Sequence, residues 1–261
     1  TLAAVTATAQ PKYQQGFEPL PPGFVYCDPF NDEAAIEKLV TEKTCAIFVE
    51  PVQGEGGIIP AKPGFLKHLR ALCDKVGALL VVDEIQAGFM RTGTLFAYEQ
   101  DEVTPDIVTL AKALGGGLPI GAMLVGAKAA ETFQFGSHGS TFGGNPVMAA
   151  VALASVTKLL SPAIRENVAD KTAKLRSGLA GLNEKFALFR EIRGRGLMIG
   201  AELVPAHQGK GNDIADLARH GRQARLRHRR HEAQSPLAEL GEDWAQRIGV
   251  TEETVAELRR H

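Results

Sequence analysis

Apolar residues recur in two periods along this chain, and the switching between them predicts strands alternating with helices. Short apolar runs at Thr44 to Val49 and Ala78 to Val82 predict buried strands, the second with β-branched residues and a bounding Gly77, and runs at Asp106 to Leu110 and Ile120 to Val125 predict further strands. Between them the apolar spacing changes to three or four. Ala35, Ile36 and Leu39 predict a helix that Asn31 or Asp32 can cap, and Phe65, Leu69, Leu72 and Val76 predict a second, opened by Pro63 and closed by Gly77. Asn145 with Pro146 predicts the start of a long helix from Val147 to about Leu160, and Pro162 starts another carrying Ile164, Val168, Leu175 and Leu179. Two strands follow, near Ala187 to Arg193 and Leu197 to Leu203, around a tight turn at Gly194 to Gly196. Residues 11 to 30, rich in Pro, Gly and aromatics, predict an irregular connection with one short strand near Phe24 to Cys27. Such alternation calls for parallel strands joined by crossover helices, the α/β class.

Composition narrows the partners. The 261 residues carry a formal net charge of −1, which gives no long-range attraction to nucleic acid or to an anionic membrane. The hydrophobic share of 44% is ordinary for a globular protein, and the length suits one large core with a small appended domain. No apolar run is long enough to span a bilayer, and no basic segment precedes an apolar one at the start, so neither a membrane nor secretion is expected. Cys27, Cys45 and Cys73 lack a metal-ligand spacing and fit reduced thiols in a cytoplasmic protein; no metal is expected.

Chemistry concentrates at the ends of two predicted strands. The run from Ala78 ends on Asp83 and Glu84, where an acid faces the ligand crevice of an α/β sheet. The strand after Pro105 delivers Lys112 just past its own carboxyl end, so a carboxylate and an amine can meet at one crevice. An Asp at a strand end also caps turns, and a lysine there is more often a surface residue. The glycines of Leu114 to Pro119, taken alone, mark only a turn.

Four linked motifs decide between these readings: EPVQGEGG at Glu50 to Gly57, VVDEIQAGFMRTG at Val81 to Gly93, TLAKALGGGLPIGA at Thr109 to Ala122, and GSTFGGNP at Gly139 to Pro146. In this order and spacing they resemble the class-III, or omega, aminotransferases, enzymes of fold type I that use pyridoxal 5′-phosphate (PLP). The wording is most similar to the acetylornithine/succinylornithine branch. The resemblance covers roughly residues 1 to 205. It implies a mostly parallel sheet flanked by helices: a large PLP-binding domain over 1–150, a linking helix and partial small α+β domain over 151–218, and an atypical tail over 219–261.

The resemblance also implies roles. Lys112 forms the Schiff base with the cofactor and moves the proton during transamination, a task for which burial or nearby positive charge favours the neutral amine. Asp83 pairs with the pyridine nitrogen and keeps it protonated, so that the ring acts as an electron sink. Ile85 packs on the ring, and Gln86 contacts its phenolic oxygen. Glu55 pairs with a substrate-binding arginine and releases it when an α-carboxylate must be bound. Thr141 binds the phosphate of the cofactor held by a neighbouring subunit, which implies a homodimer with shared sites. The implied reaction moves the δ-amino group of N-acetylornithine or N-succinylornithine to 2-oxoglutarate; ornithine, 4-aminobutyrate and lysine-type donors are chemically close.

The resemblance weakens at both ends. It implies that the chain starts inside the large domain, after the family's earlier Gly-Ser/Thr phosphate loop and its ring-stacking aromatic residue. From Arg219 the sequence reads RHGRQARLRHRRHEAQSPLAELGEDW, in place of the family's Leu-Arg-Phe strand that carries the substrate arginine. A changed reading frame would account for it. A catalytically impaired fragment that keeps the fold and its dimer contacts is the alternative. The basic stretch from Arg219 to His231, and a faint helix-turn-helix pattern in LGEDWAQRIGVTEETVAEL, would suit nucleic acid, but a solvated tail is the expected role.

Overall fold

The structure, a computed structural model, describes residues 2–207. The elements in chain order are α1 (Leu2–Ala7), α2 (Pro11–Gln14), α3 (Glu33–Leu39), β1 (Ala46–Val49), β2 (Val52–Gln53), β3 (Ile59–Pro60), α4 (Phe65–Val76), β4 (Leu79–Asp83), β5 (Ile107–Leu110), β6 (Ala122–Val125), α5 (Ala127–Ala130), α6 (Pro146–Leu159), α7 (Pro162–Phe186), β7 (Phe189–Arg195) and β8 (Met198–Leu203). They fall into two compact units, residues 2–181 with Ile192–Gly200, and Leu182–Glu191 with residues 201–207.

The first unit is built on a four-stranded sheet in the order β1-β4-β5-β6. β1, β4 and β5 run parallel, with Val49 beside Val82 and Asp83 beside Thr109. The connection from β1 to β4 is made by α4. Phe65, Leu66, Leu69 and Cys73 of that helix are buried against Ile47, Val49, Leu80 and Val82 in the main core. Gly64 and Gly77, both left-handed at φ +88 and +78, bound the helix where a side chain on Cβ would be strained. Val108 and Leu110 of β5 join Phe89, Leu114 and Ala152 of α6 in a second cluster.

One direction that the sequence left open is settled, and one expectation is corrected. β6 pairs antiparallel with β5, Ile107 facing Val125, so the sheet is mostly parallel, as expected. Its connection, residues 111–121, holds only a 3-10 turn at Lys112–Gly115. A parallel return needs a crossover of a dozen residues or more, usually a helix, so this connection brings the chain back antiparallel. The short strand expected near Phe24 to Cys27 does not form; Val25 is exposed, and the Tyr26 hydroxyl instead donates to the Thr6 carbonyl at 2.5 Å.

The second unit holds residues 189–191 of β7 and 201–203 of β8. There Phe189 N donates to Asn183 Oδ1 at 2.6 Å, and Arg190 pairs with Glu202 at 2.5 Å. The basic stretch, the helix-turn-helix pattern and the whole 219–261 segment lie outside the described residues. Among those described, no single helix is long and apolar enough to cross a membrane, and no group of three or more His, Cys, Asp or Glu gathers as for a metal.

Candidate active site

The site grows from the carboxyl ends of β1, β4 and β5. Asp83 is the last residue of β4 and is half-buried. Among the described residues, the hydrogen bond to its carboxylate comes from Ile85 N, 2.9 Å from Oδ1. Strand alternation sends the next residue the other way. Glu84 is fully buried, its Oε1 accepting from Tyr98 N at 3.0 Å. Burial pushes its pKa up to about 7, against the pull of the Ala97 and Tyr98 amides, with Glu99 and Asp83 adding to the rise. Glu84 is thereby committed to the core, and Asp83 is the acid of the pair that stays partly exposed at the strand end.

Lys112 begins the 3-10 turn after β5 with φ +44, a left-handed conformation that an L side chain holds only under local constraint. Ile85, Gln86, Phe89, Met90 and Lys112 share the lining of a cleft of about 580 Å³, whose far wall includes Ile164 and Met198. Phe89 and Met90 are left-handed as well, at φ +54 and +65, so the GFMRTG turn presses several strained residues against one cavity. Asp83 does not line the cleft, although its neighbours in sequence do. Lys112 is exposed, whereas the sequence favoured a buried amine.

The remaining predicted residues are less gathered. Glu55 is exposed, and its Oε2 accepts from the Tyr13 hydroxyl at 3.3 Å; no arginine pairs with it among the described residues. Thr141 lies in an exposed loop that Asn145 ties to α6 by accepting from Val147 N and Met148 N. One site residue was missed by sequence reasoning. Glu50 stands directly after β1, and the half-buried carboxyl is raised in pKa by burial; Gly54 N and Lys112 lower it, while Asp83 and Glu55 raise it further. Its signal was present in the sequence, an acid at a strand end beside Gly-rich residues, in the same position relative to β1 that Asp83 holds in β4.

A mostly parallel sheet with an acid closing one strand and a lysine following the next is the α/β frame that the linked motifs imply. Residues 1–228 match the family described as aminotransferase class-III, and the chain belongs to that family. It is 64% identical to the acetylornithine aminotransferase of Xanthomonas campestris pv. campestris over 219 residues, 84% of this chain and 53% of that protein. It is 50% identical to a succinylornithine transaminase of Yersinia enterocolitica over 222 residues, 85% of this chain and 53% of that one. Among solved structures, it is similar to the N-acetylornithine aminotransferase from Stenotrophomonas maltophilia K279a, with TM-score 0.67 and 53% identity over 74% of this chain and 50% of the other. It is similar too to the ornithine aminotransferase from Toxoplasma gondii ME49, with TM-score 0.74 and 38% identity over 84% and 52%. The chain thus spans about half the length of the curated relatives it matches.

PLP is the cofactor of this family, and the residues present fit it. Asp83 offers an oxygen to a cationic ring nitrogen without competition from a described cation.

Proposed function

We propose that the chain carries the PLP-binding and proton-transfer residues of an aminotransferase that moves the δ-amino group of N-acetylornithine, or N-succinylornithine, to 2-oxoglutarate in arginine metabolism. The observation that carries the proposal is the convergence of Lys112 and Gln86 on one cleft beside the β4 end that Asp83 closes. The sequence identity to acetylornithine and succinylornithine enzymes supports the choice of donor.

When bound, PLP supplies a protonated aromatic ring that draws electron density from the substrate carbon bearing the amine. Lys112 Nζ would hold the cofactor covalently before substrate arrives and, once freed, would carry the proton from the amine-bearing carbon to the cofactor's aldehyde carbon. Asp83 Oδ2 pairs with the ring nitrogen and keeps its proton in place. Ile85 packs against the ring, and the Gln86 carboxamide reaches the phenolic oxygen. Glu55 sets which carboxylate the substrate arginine can meet, and Thr141 holds a phosphate oxygen across a dimer interface. A homodimer is supported by the apolar residues exposed near that loop, Phe142 at 80%, Val147 at 60% and Leu153 at 70%. The same reading places the protein in the cytoplasm and assigns 1–150 to the cofactor domain and 151–218 to the linking helix and small domain.

The test is glutamate formation from N-acetylornithine and 2-oxoglutarate with PLP present. Turnover that Lys112→Ala abolishes is expected; turnover that survives this change would sink the assignment. The exposure of Lys112 and the Tyr13 partner of Glu55 favour one second reading, an impaired fragment. It predicts PLP attachment at Lys112 without turnover.

A further inference from the structure

Glu50 has no part in the roles above, yet its carboxyl is surrounded by the groups that do. β1 and β4 run in register from Ala46 beside Leu79 to Val49 beside Val82, so Glu50 leaves β1 at the level where Asp83 closes β4. The charged groups facing it are Asp83, Lys112 and Glu55. Its Oε2 accepts from Gly54 N at 3.1 Å, across the turn that begins the QGEGG loop. The carbonyl of Gly54 accepts from Gly57 N and Ile58 N, both at 3.3 Å, so the loop hangs on this one residue from both sides.

Gly54 also forms a surface for Gln86. A Cβ at position 54 would fall 2.2 Å from Gln86 Oε1 and 2.7 Å from Nε2. No side chain fits in that space, and the Gln86 carboxamide lies directly on the loop backbone. The hydrogen bond from Gly54 N to Glu50 therefore fixes the shelf on which a cleft-lining side chain rests.

We infer that Glu50 is a positioning residue for the cofactor site: its carboxyl holds the Gly54 backbone, and that backbone holds the Gln86 carboxamide in the cleft shared with Lys112. The inference rests on the PLP reading above and extends it to a residue with no role there. The working part of Glu50 is its acceptor oxygen, not its negative charge. Burial raises the pKa of its carboxyl, and the oxygen accepts from Gly54 N in either protonation state. Glu50→Gln keeps an acceptor and is expected to be nearly silent. Glu50→Ala removes it, and Glu50→Asp withdraws it by one methylene while keeping the charge.

The experiment has two arms. In the chain without PLP, 15N–1H spectra follow the Gly54 amide and the Gln86 side-chain NH2 in the wild type and in the three variants. Both signals are expected to move in Glu50→Ala and Glu50→Asp, with Gln86 unmoved in Glu50→Gln. A Gln86 signal that stays in place in Glu50→Ala and Glu50→Asp would overturn the inference whether or not PLP binds. Should Glu50→Ala fail to fold, Glu50→Asp decides this arm. In the second arm PLP is titrated into each variant. Glu50→Ala is expected to bind about tenfold more weakly, the effect of one misplaced hydrogen bond, and Glu50→Gln within about twofold of wild type. Equal binding by wild type and Glu50→Ala would overturn the inference while leaving the PLP reading intact. No PLP attachment in the wild type would overturn the PLP reading and the cofactor role given to Glu50, leaving the Glu50–Gln86 link to the first arm.

Discussion

Replacing Glu84 with Gln tests the electrostatics at the end of β4 without touching the cleft. Glu84 is fully buried, with Oε1 bound to Tyr98 N and Oε2 lacking a partner among the described residues. Its pKa in the folded chain is raised from 4.5 to about 7, with burial the main cause. A raised acid pKa means that the folded state keeps a proton that the unfolded chain has already released. Below pH 4.5 both states are protonated and Glu84 costs nothing. Stability then falls as pH rises from 4.5 to about 7, and above that the cost is complete, on the order of 3 kcal/mol. Gln copies the shape of the protonated acid and does not titrate. The variant is therefore expected to match the wild type near pH 5 and to exceed it at pH 8 by about 1–3 kcal/mol, the lower end allowing for an imperfect amide fit. Urea unfolding followed by far-UV circular dichroism, run on both proteins from pH 5 to pH 8, measures this difference, and groups common to the two proteins cancel. Parallel stability curves across that range would refute the reasoning.

Arg195→Ala is expected to destabilise the chain by about 3 kcal/mol in the same assay, because it strands the buried Asp101 that Arg195 meets at 2.6 and 3.3 Å. An unchanged midpoint would show that this pair contributes nothing. Gly196→Ala adds a Cβ 2.4 Å from the Thr92 carbonyl carbon at φ +53, and a loss of about 2 kcal/mol or more is expected on urea unfolding. Asp83→Asn is expected to weaken PLP binding at least about tenfold, measured by absorbance titration, with far-UV circular dichroism unchanged, since it removes a charge-assisted bond to the ring nitrogen.

The parts of the site legible in the sequence were those that strand periodicity carries. Ala78 to Val82 predicted the strand found at Leu79–Asp83, and alternation across it separated Asp83 from the core-facing Glu84. Pro105 and the apolar run after it placed Lys112 just past β5, again by counting along a strand. The direction of β6 was not legible, because an apolar run reads alike in parallel and antiparallel neighbours; the short connection at 111–121 carried that information instead. The left-handed backbone of Phe89, Met90 and Lys112 leaves no local signature, since none of these residues favours it and tertiary packing imposes it. Glu50 was readable as an acid at a strand end, but its service to Gln86 depends on residues 32 positions beyond Gly54 folding back onto the loop.

The central claim is that Lys112 is the cofactor lysine, and trapping tests it most directly. The chain is mixed with PLP, reduced with borohydride, digested, and its peptides mapped by mass spectrometry. The account predicts one dominant modified peptide bearing reduced PLP on Lys112, absent from Lys112→Ala. No modification at Lys112, or labelling spread over surface lysines and unaltered in Lys112→Ala, would contradict it.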